Sequence, residues 1–328
     1  MSAHDDSIRR FAADALLPRL ERMWKEARGV RGGSDIEHVH KMRVASRRLR
    51  TALNLTASAL PPGELPAWIK QVRRITRALG AARDADVQIA FLEEFTAIHV
   101  APELQPGLSR LLIRLRQRRH ELRDGVLAAL DQFEASGVLE AMRRVLHDDA
   151  ERDDHRDDAS VNLIRHAALE ISRRLDDMLA FEPFLSRPDR KHEHHRMRIA
   201  AKRLRYSMET FAPLYSGKLK KPINAVRRIQ ELLGDVHDCD VWIEQLPGFL
   251  DRERVRVEQF FGPDHGTGRL SPGVDFLRED RIREREKRFE EFCRFWDELK
   301  KQGIWETLEQ MSQASSSSQI INRTESLS

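Results

Sequence analysis

One eleven-residue basic segment occurs twice in the chain, and this repeat limits the fold more than any other feature does. His40–Arg50 reads HKMRVASRRLR and His195–Arg205 reads HRMRIAAKRLR, with seven of 11 positions identical. A second pair follows at matching distance, since Val72–Val87 (VRRITRALGAARDADV) and Val226–Val241 (VRRIQELLGDVHDCDV) agree at nine of 16 positions. The pattern predicts a chain built by duplication of a unit of roughly 155 residues.

The spacing of apolar residues predicts an all-α fold. They recur every three or four positions along nearly the whole chain, and no stretch alternates as a half-buried strand does. Glycines and prolines divide the pattern into eight helices with short joints, so each half is predicted to be an antiparallel, up-down four-helix bundle. The predicted helices are 7–28, 34–60, 64–98 and 105–147 in the first half, and 159–182, 190–215, 217–250 and 272–311 in the second.

Composition divides the chain further. The first half is predicted over 7–147 and the second over 159–311, separated by the acidic segment 148–158, which carries seven acids against two arginines. This segment is interpreted as a linker, although a charged helix extension fits it equally. The Ser-rich end, 312–328, has too little apolar content to fold and is predicted to be a disordered tail.

The distribution of charge indicates a polyanionic partner. The excess of 57 Lys and Arg over 53 Asp and Glu is small, but each copy of the basic segment holds five Arg or Lys, one His and no acid. Helix faces that merely contact water mix Lys or Arg with Glu at i,i+4, so two acid-free copies favour anion binding over a solvated basic face. Arginine predominates, which suits phosphate or carboxylate oxygens.

Helical geometry assigns the candidate binding residues. At about 100° per residue, one face of each basic helix is charged and the opposite face is apolar, with Met42, Ala45, Leu49 and Leu53 in the first copy and Met197, Ala200, Leu204 and Met208 in the second. Arginine pairs in the third helices either add a second wall or are simply exposed. The candidates are His40, Arg43, Arg47, Arg50, Arg73, Arg74, His195, Arg198, Lys202, Arg205, Arg227 and Arg228. Arg118 and Arg285, at matching places in the fourth helices, are weaker candidates.

His40 and His195 could contact a ligand, bind a metal or carry a proton. Neighbouring arginines disfavour the imidazolium until an anion arrives, so binding is expected to tighten below about pH 7. Metal is not expected: the cluster His192, His194, His195 and the pair His237-Asp238 have Glu37, Val39 and Arg83-Asp84 at matching positions, and arginine cannot ligate a cation. Asp84, Asp86, Asp238 and Asp240 are interpreted as satisfying backbone donors at a helix restart, with orientation of a nearby Arg or His as the alternative.

Several functional classes lack support in the sequence. No catalytic triad pattern, Gly-rich phosphate loop or pair of carboxylates in apolar context is present, so we expect neither an enzyme nor a cofactor. No apolar run is long enough for a membrane span, and two cysteines suggest a reducing, cytoplasmic compartment. A monomer is expected, because the duplication already supplies the symmetry of a dimer.

The chain resembles the CHAD family, the conserved histidine α-helical domain. The resemblance rests on H-x-M-R-V/I-A-x-R/K-R-L-R twice and on L-G-x-x-x-D-x-D-V at Leu79–Val87 and Leu233–Val241, and it covers about 7–311. It implies two four-helix bundles related by a pseudo-twofold axis, with the second and third helices lining a central basic groove or pore. It further implies binding of inorganic polyphosphate by His40, Arg43, Arg47 and Arg50 with His195, Arg198, Lys202 and Arg205.

Two other functions stay open at this point. A single-stranded nucleic acid or another polyanion is the main alternative, although base stacking needs aromatic platforms and the signatures offer only Tyr206 at the edge of the second. A hydrolase or metal-dependent phosphotransferase is the weaker one. Association with polyphosphate or storage granules is a further expectation.

Overall fold

The computed structural model describes residues 3–33, 35–99, 101–151, 156–262 and 268–317. The described residues are 88% helical and include no strand, which confirms the predicted all-α class. Eleven α-helices are described, together with short 3₁₀ turns at Ala57–Ala59, Glu182–Phe184 and Ala212–Tyr215. The helices are α1 (Ala3–Lys25), α2 (Ala27–Gly32), α3 (Ile36–Leu55), α4 (Leu65–Ile98), α5 (Gln105–Ala135), α6 (Val138–Ala150), α7 (Arg156–Leu179), α8 (Lys191–Phe211), α9 (Lys220–Phe261), α10 (Ser271–Lys301) and α11 (Ile304–Ser317).

The fourth helix of each half is broken, where a single helix was predicted. Gly137 separates α5 from α6 with φ of 66°, and Gly303 separates α10 from α11 with φ of 61°. Only glycine adopts this left-handed conformation without steric cost, so each glycine ends one helix and lets the next start in a new direction. The last helices fold back because of these two residues.

Other helix ends also differ from the predicted ones. The predicted third helix of the second half ends at 250, but α9 continues to Phe261 through Pro247. Within the acidic segment, α6 ends at Ala150 and α7 begins at Arg156, while 152–155 lie outside the described residues. Helix α11 extends to Ser317, past the predicted start of the tail at 312, and 318–328 lie outside the described residues.

Each half packs as a ring of helices around its own core. In the first half α1 contacts α3, α3 contacts α4, α4 contacts α5, and α6 closes the ring on α1. The second half repeats this order with α7, α8, α9 and α10, and α11 closes on α7. The apolar faces predicted for α3 and α8 are buried: Met42, Leu49, Leu53, Met197, Leu204 and Met208 have no exposed surface. This burial orients the opposite, charged face of each helix outward from its bundle.

The two halves contact one another through equivalent helices. Helix α1 packs on α7, α3 on α8, and α5 on α10. A third apolar core, which includes Phe95, Leu108, Trp242 and Leu277, lies between the halves and joins the ends of α4 and α9 to α5 and α10. Pairing of like with like is the arrangement that a twofold axis generates.

A reciprocal contact of two glycines brings α5 and α10 together. A Cβ atom at Gly107 would overlap the carbonyl oxygen of Leu270, and one at Gly273 would overlap the carbonyl oxygen of Leu104. Both helices therefore approach one another at a distance that only glycine allows. The exchange of contacts between matching residues again follows the pattern of an isologous interface.

Candidate functional site

The charged faces of α3 and α8 lie next to each other. Because these helices contact directly, Arg43 and Arg47 of α3 act electrostatically on Arg198 and Lys202 of α8. Burial, followed by the positive charges of Arg47, Arg198, Arg43 and Arg205, lowers the pKa of Lys202 to about 6. Burial also lowers the pKa of Arg47 and of Arg198. The two copies of the signature thus form one shared positive cluster, which we call the α3–α8 cluster: Arg43, Arg47, Arg198 and Lys202.

Asp238 shows that this cluster lies in a concave region. Its carboxylate is open to solvent, yet enclosure by the surrounding protein raises the pKa to about 6. The charges that act on it come from Arg198 of α8, Asp235 of α9, Asp84 of α4 and Arg43 of α3. Charges from four helices, the second and third of each half, thus act on Asp238, and we call the surface between these helices the groove.

The histidines of the signature lie at one end of the groove. His195 Nδ1 is 3.1 Å from Nδ1 of His237 on α9. Burial, followed by the charges of Arg198 and His195, lowers the pKa of His237 to about 4. Burial also lowers the pKa of His195, and the charge of Arg198 is the next largest cause. For His40 burial is again the largest cause, followed by the charge of Arg83. The predicted influence of arginine on these imidazoles is therefore present, but burial is the larger cause.

The first-half histidine differs from its counterpart. His40 has Arg83 as its neighbour where His195 has His237, so the two halves contribute different groups to this end of the groove. The Nδ1 atom of His40 is buried without a hydrogen-bond partner. The His192, His194, His195 cluster is split, because buried His194 faces the Phe184 carbonyl at 3.0 Å and its ring contacts Phe289. Within the described residues, no group of three or more His, Cys, Asp or Glu side chains is placed to hold a metal ion.

Tyr206 occupies the other end, between the two signature helices. The guanidinium of Arg205 lies 5.0 Å from the centre of its ring and that of Arg47 lies 5.9 Å away. Glu209 joins α8 to α3, since its carboxylate is 3.3 Å from Arg48 Nε and 3.6 Å from Arg205 Nε. Sequence reasoning did not predict these contacts; the signal was the position of Tyr206 directly after the second signature.

The remaining predicted residues lie outside the α3–α8 cluster. Burial lowers the pKa of Arg50, and the next largest cause is the charge of Arg73 on α4. Arg50 therefore lies on the side of α3 that faces α4. Arg73, Arg74, Arg227 and Arg228 are exposed on α4 and α9. Arg228 is bound by Glu291 at 2.6 Å and Glu231 at 3.6 Å, and Arg227 donates to Asn224 at 3.1 Å.

The four aspartates have two different roles, neither at a helix restart. Helices α4 and α9 continue without a break past Gly80 and Gly234, so the helix restart expected there is wrong. Asp84 accepts a hydrogen bond from Arg43 at 3.3 Å in the groove. The buried pair, Asp86 and Asp240, instead accept from Arg119 Nε at 2.5 Å and Arg285 Nε at 2.6 Å. Arg119, and not Arg118, is therefore the counterpart of Arg285.

The chain belongs to the CHAD domain family, whose model matches residues 14–247. Two curated relatives from Mycobacterium tuberculosis, the uncharacterized proteins MT2285 (strain CDC 1551 / Oshkosh) and Rv2226 (strain ATCC 25618 / H37Rv), are each 30% identical over 243 residues, which is 71% of this chain. The matched region spans 44% of the length of these relatives. Polyphosphate binding is a known property of CHAD domains.

Solved structures share the fold. The CHAD domain from the plant Ricinus communis superposes with a TM-score of 0.61 at 24% identity, covering 88% of this chain and 91% of that one. PptA from Streptomyces chartreusis superposes with a TM-score of 0.59 at 14% identity, covering 89% of this chain and 99% of that one. None of the helices in the described ranges is both long and apolar enough to cross a membrane.

Proposed function

We propose that this chain binds inorganic polyphosphate in the groove formed by α3, α4, α8 and α9, and that it does so without hydrolysing the polymer. The single observation that supports this most is the depressed pKa of Lys202, about 6, beside three arginines of the groove. Like charges are held together there at a cost in free energy that a polyanion removes. A linear phosphate chain presents charge at every unit along its length, which matches a row of cations contributed by two helices.

The shape of the cluster favours polyphosphate over nucleic acid. Single-stranded nucleic acids gain much of their affinity from bases stacked on exposed aromatic rings. Tyr206, the aromatic residue of the signature, is buried and its ring already lies close to two guanidinium groups. It therefore offers no free face to a base, whereas the guanidinium and ammonium groups suit phosphate oxygens.

Calorimetric titration at about 0.15 M salt tests the proposal, with long-chain polyphosphate, pyrophosphate and single-stranded RNA as ligands. The Arg47→Ala/Lys202→Ala variant removes two cluster cations, and Arg74→Ala/Arg227→Ala removes two exposed arginines as a matched control. We expect long-chain polyphosphate to bind most tightly, and the cluster variant to lose at least tenfold, or about 1.4 kcal/mol, while the control changes little.

Three outcomes would overturn the proposal. RNA that displaces polyphosphate would assign the groove to nucleic acid, and equal losses in both variants would reduce the cluster to general basicity. Shortening of the polyphosphate chains on incubation, with or without a divalent cation, would show that the protein hydrolyses the polymer and would contradict a role in binding without hydrolysis.

We further infer that the chain acts as a monomer in the cytoplasm, where granules rich in polyphosphate would recruit it. Light scattering tests the oligomeric state, and fluorescence microscopy tests the recruitment to granules.

A further inference from the structure

A second cavity lies farther along α9, beyond the groove, where this helix faces α5. Its volume is about 580 Å³, which falls in the range of sites for small organic ligands. The floor is apolar, and four arginines contribute to the wall. The apolar lining is Leu111, Leu115, Trp242, Leu246 and Phe249, and the arginines are Arg114, Arg118, Arg252 and Arg256.

A buried carboxylate positions part of the wall. Glu253 is 1% exposed and accepts from Arg114 Nε at 2.7 Å and from Arg256 Nη1 at 2.5 Å, with Arg110 Nη1 at 3.7 Å. Burial opposes ionisation of Glu253, but hydrogen bonds from Arg114 and Arg256 outweigh it and hold the pKa below its usual value. Because one carboxylate serves three guanidiniums, this part of the wall retains positive charge.

Arg118 and Arg252 add to that excess. Both line the cavity, and the acid that lines it with them is Glu121. Five arginines around the cavity therefore stand against two carboxylates, Glu253 and Glu121. A positive wall over an apolar floor matches a ligand that carries both an anionic and an apolar part.

The equivalent place on the other side of the molecule, between α10 and α4, is built differently. The glycine contacts and the buried ion pairs align Gly107 with Gly273 and Arg119 with Arg285. In that register Asp280 and Glu284 replace Arg114 and Arg118, and Arg281 replaces Leu115. The guanidinium of Arg281 lies 4.5 Å from the ring centre of Phe91, so a charged side chain stands where the cavity has apolar Leu115. The cavity is therefore not a by-product of the repeat.

We propose that the α5–α9 cavity binds a small amphiphilic anion, with its apolar body on Trp242 and the leucines and its carboxylate or phosphate head on the arginines. Polyphosphate is a poor occupant, because it has no apolar part to cover the floor. The site is independent of the groove, so its occupancy does not depend on the polyphosphate proposal.

Calorimetric titration with four ligands tests this site, each used below its micelle concentration. Decanoate and decyl phosphate carry the two possible heads, decanol has the chain without charge, and tripolyphosphate has charge without a chain. We expect saturable binding of one or both anions with a stoichiometry near one, and at least tenfold weaker binding of decanol. Decanol that binds as tightly as the anions, or the absence of any binding, would overturn the proposal.

Two variants locate the site. Arg118→Glu/Arg252→Glu reverses the charge of two arginines in the wall, neither of which has a carboxylate partner in a described ion pair. The control is Arg116→Glu, which changes an exposed arginine of α5 that pairs with Glu93 and does not line the cavity. The double variant should weaken decanoate binding at least tenfold, and the control should weaken it less than twofold. Both variants should bind polyphosphate within threefold of the unaltered protein. Unchanged decanoate binding in the first variant, or displacement of decanoate by tripolyphosphate, would contradict the assignment. If the double variant fails to fold, the comparison of decanoate with decanol in the unaltered protein decides.

Discussion

Lys202 shows at the scale of a single residue what the shared groove does. An isolated lysine has a pKa near 10.4. Burial, and then the charges of Arg47, Arg198, Arg43 and Arg205, lower the pKa of Lys202 to about 6, while His237 of α9 lies close enough for Lys202 to lower its pKa too. The charge of Lys202 is therefore largely absent near pH 7 until an anion binds and raises its pKa.

Binding of polyphosphate should take up protons. Because the pKa of free Lys202 is about 6 and the bound pKa is higher, affinity should rise as pH falls from about 8 towards 6 and gain no more from this group below 6. The gain is at most about tenfold per pH unit for each proton taken up. Calorimetry in two buffers of different ionisation enthalpy measures the uptake directly. Lys202→Arg keeps the charge without titrating, so an unchanged pH profile in that variant would refute the role of Lys202.

The pH dependence predicted for His40 and His195 stays a prediction, and Lys202 adds a further titrating group to it. His237 has a pKa of about 4, so little imidazolium forms there at physiological pH. The sequence predicted the sign of the shift from the neighbouring arginines, but it gave no measure of burial. Burial depends on how α3 and α8 meet, which is a property of the folded chain.

Asp238 competes with phosphate for the cations of the groove. Its carboxylate acts on Arg198, so its removal should leave Arg198 free for the ligand. We expect Asp238→Asn to tighten polyphosphate binding about three- to tenfold at pH 8, roughly 1 kcal/mol, since a like charge next to the polyanion disappears. Titration of Asp251→Asn, an exposed aspartate on the same helix outside the groove, supplies the control. Weaker binding of Asp238→Asn would instead show that Asp238 orients Arg198.

At the scale of elements, two buried ion pairs fix the fourth helices against the third. Arg285 and Asp240 are both 6% exposed, and Arg285 also donates to the Pro188 carbonyl at 3.0 Å. Loss of Arg285 leaves the buried Asp240 carboxylate with Lys191 Nζ, at 3.4 Å, as its remaining partner in a described ion pair. Arg285→Met should therefore lower the free energy of unfolding by up to about 3–5 kcal/mol. Denaturant unfolding measures it.

A double variant separates the charge effect from simple loss of packing. Asp240→Asn/Arg285→Met removes both charges and should cost less than Arg285→Met alone. Arg228→Met, which removes an exposed arginine held by Glu291, should cost about 0–1 kcal/mol. Equal destabilisation by Arg285→Met and Arg228→Met would contradict the role of the buried pair.

Several features of the elements could be predicted from the sequence. The three- and four-residue spacing that buries Met42, Leu49 and Leu204 predicted both signature helices and their charged faces. The breaks at Gly137 and Gly303 were missed, because a glycine inside a helical pattern is often tolerated and its φ follows from tertiary packing. The predicted match of Arg118 to Arg285 was one residue off, because α5 has arginines at both 118 and 119 and only the folded structure shows that Arg119 binds Asp86.

At the scale of the molecule, α5 and α10 hold the two halves at a close distance. Gly107→Ala or Gly273→Ala would force a methyl group into a backbone carbonyl of the other helix. We expect each to destabilise the protein by about 1–3 kcal/mol, because neither helix can yield without disturbing the third core. Gly125→Ala has open space around its Cβ and should be neutral or stabilise by up to about 1 kcal/mol. Thermal unfolding of the three variants compares them, and similar midpoints would contradict the close contact.

The duplication in the sequence predicted which helices of the two halves are equivalent, but it did not predict which of them contact one another. The contacts of α3 with α8 and of Gly107 with Leu270 depend on shape complementarity between surfaces far apart in sequence. A single sequence does not encode these contacts in any local pattern. The central groove itself entered only through the family resemblance, and the α5–α9 cavity had no sequence signal beyond scattered arginines.

The most direct measurement is a crystal structure of the protein with bound polyphosphate of defined length. Our account predicts a phosphate chain that runs between α3 and α8, with oxygens within hydrogen-bond distance of Arg43 and Arg47 on one side and Arg198 and Lys202 on the other. Phosphates bound instead along the exposed arginines Arg73, Arg74 and Arg227, with the groove empty, would contradict it.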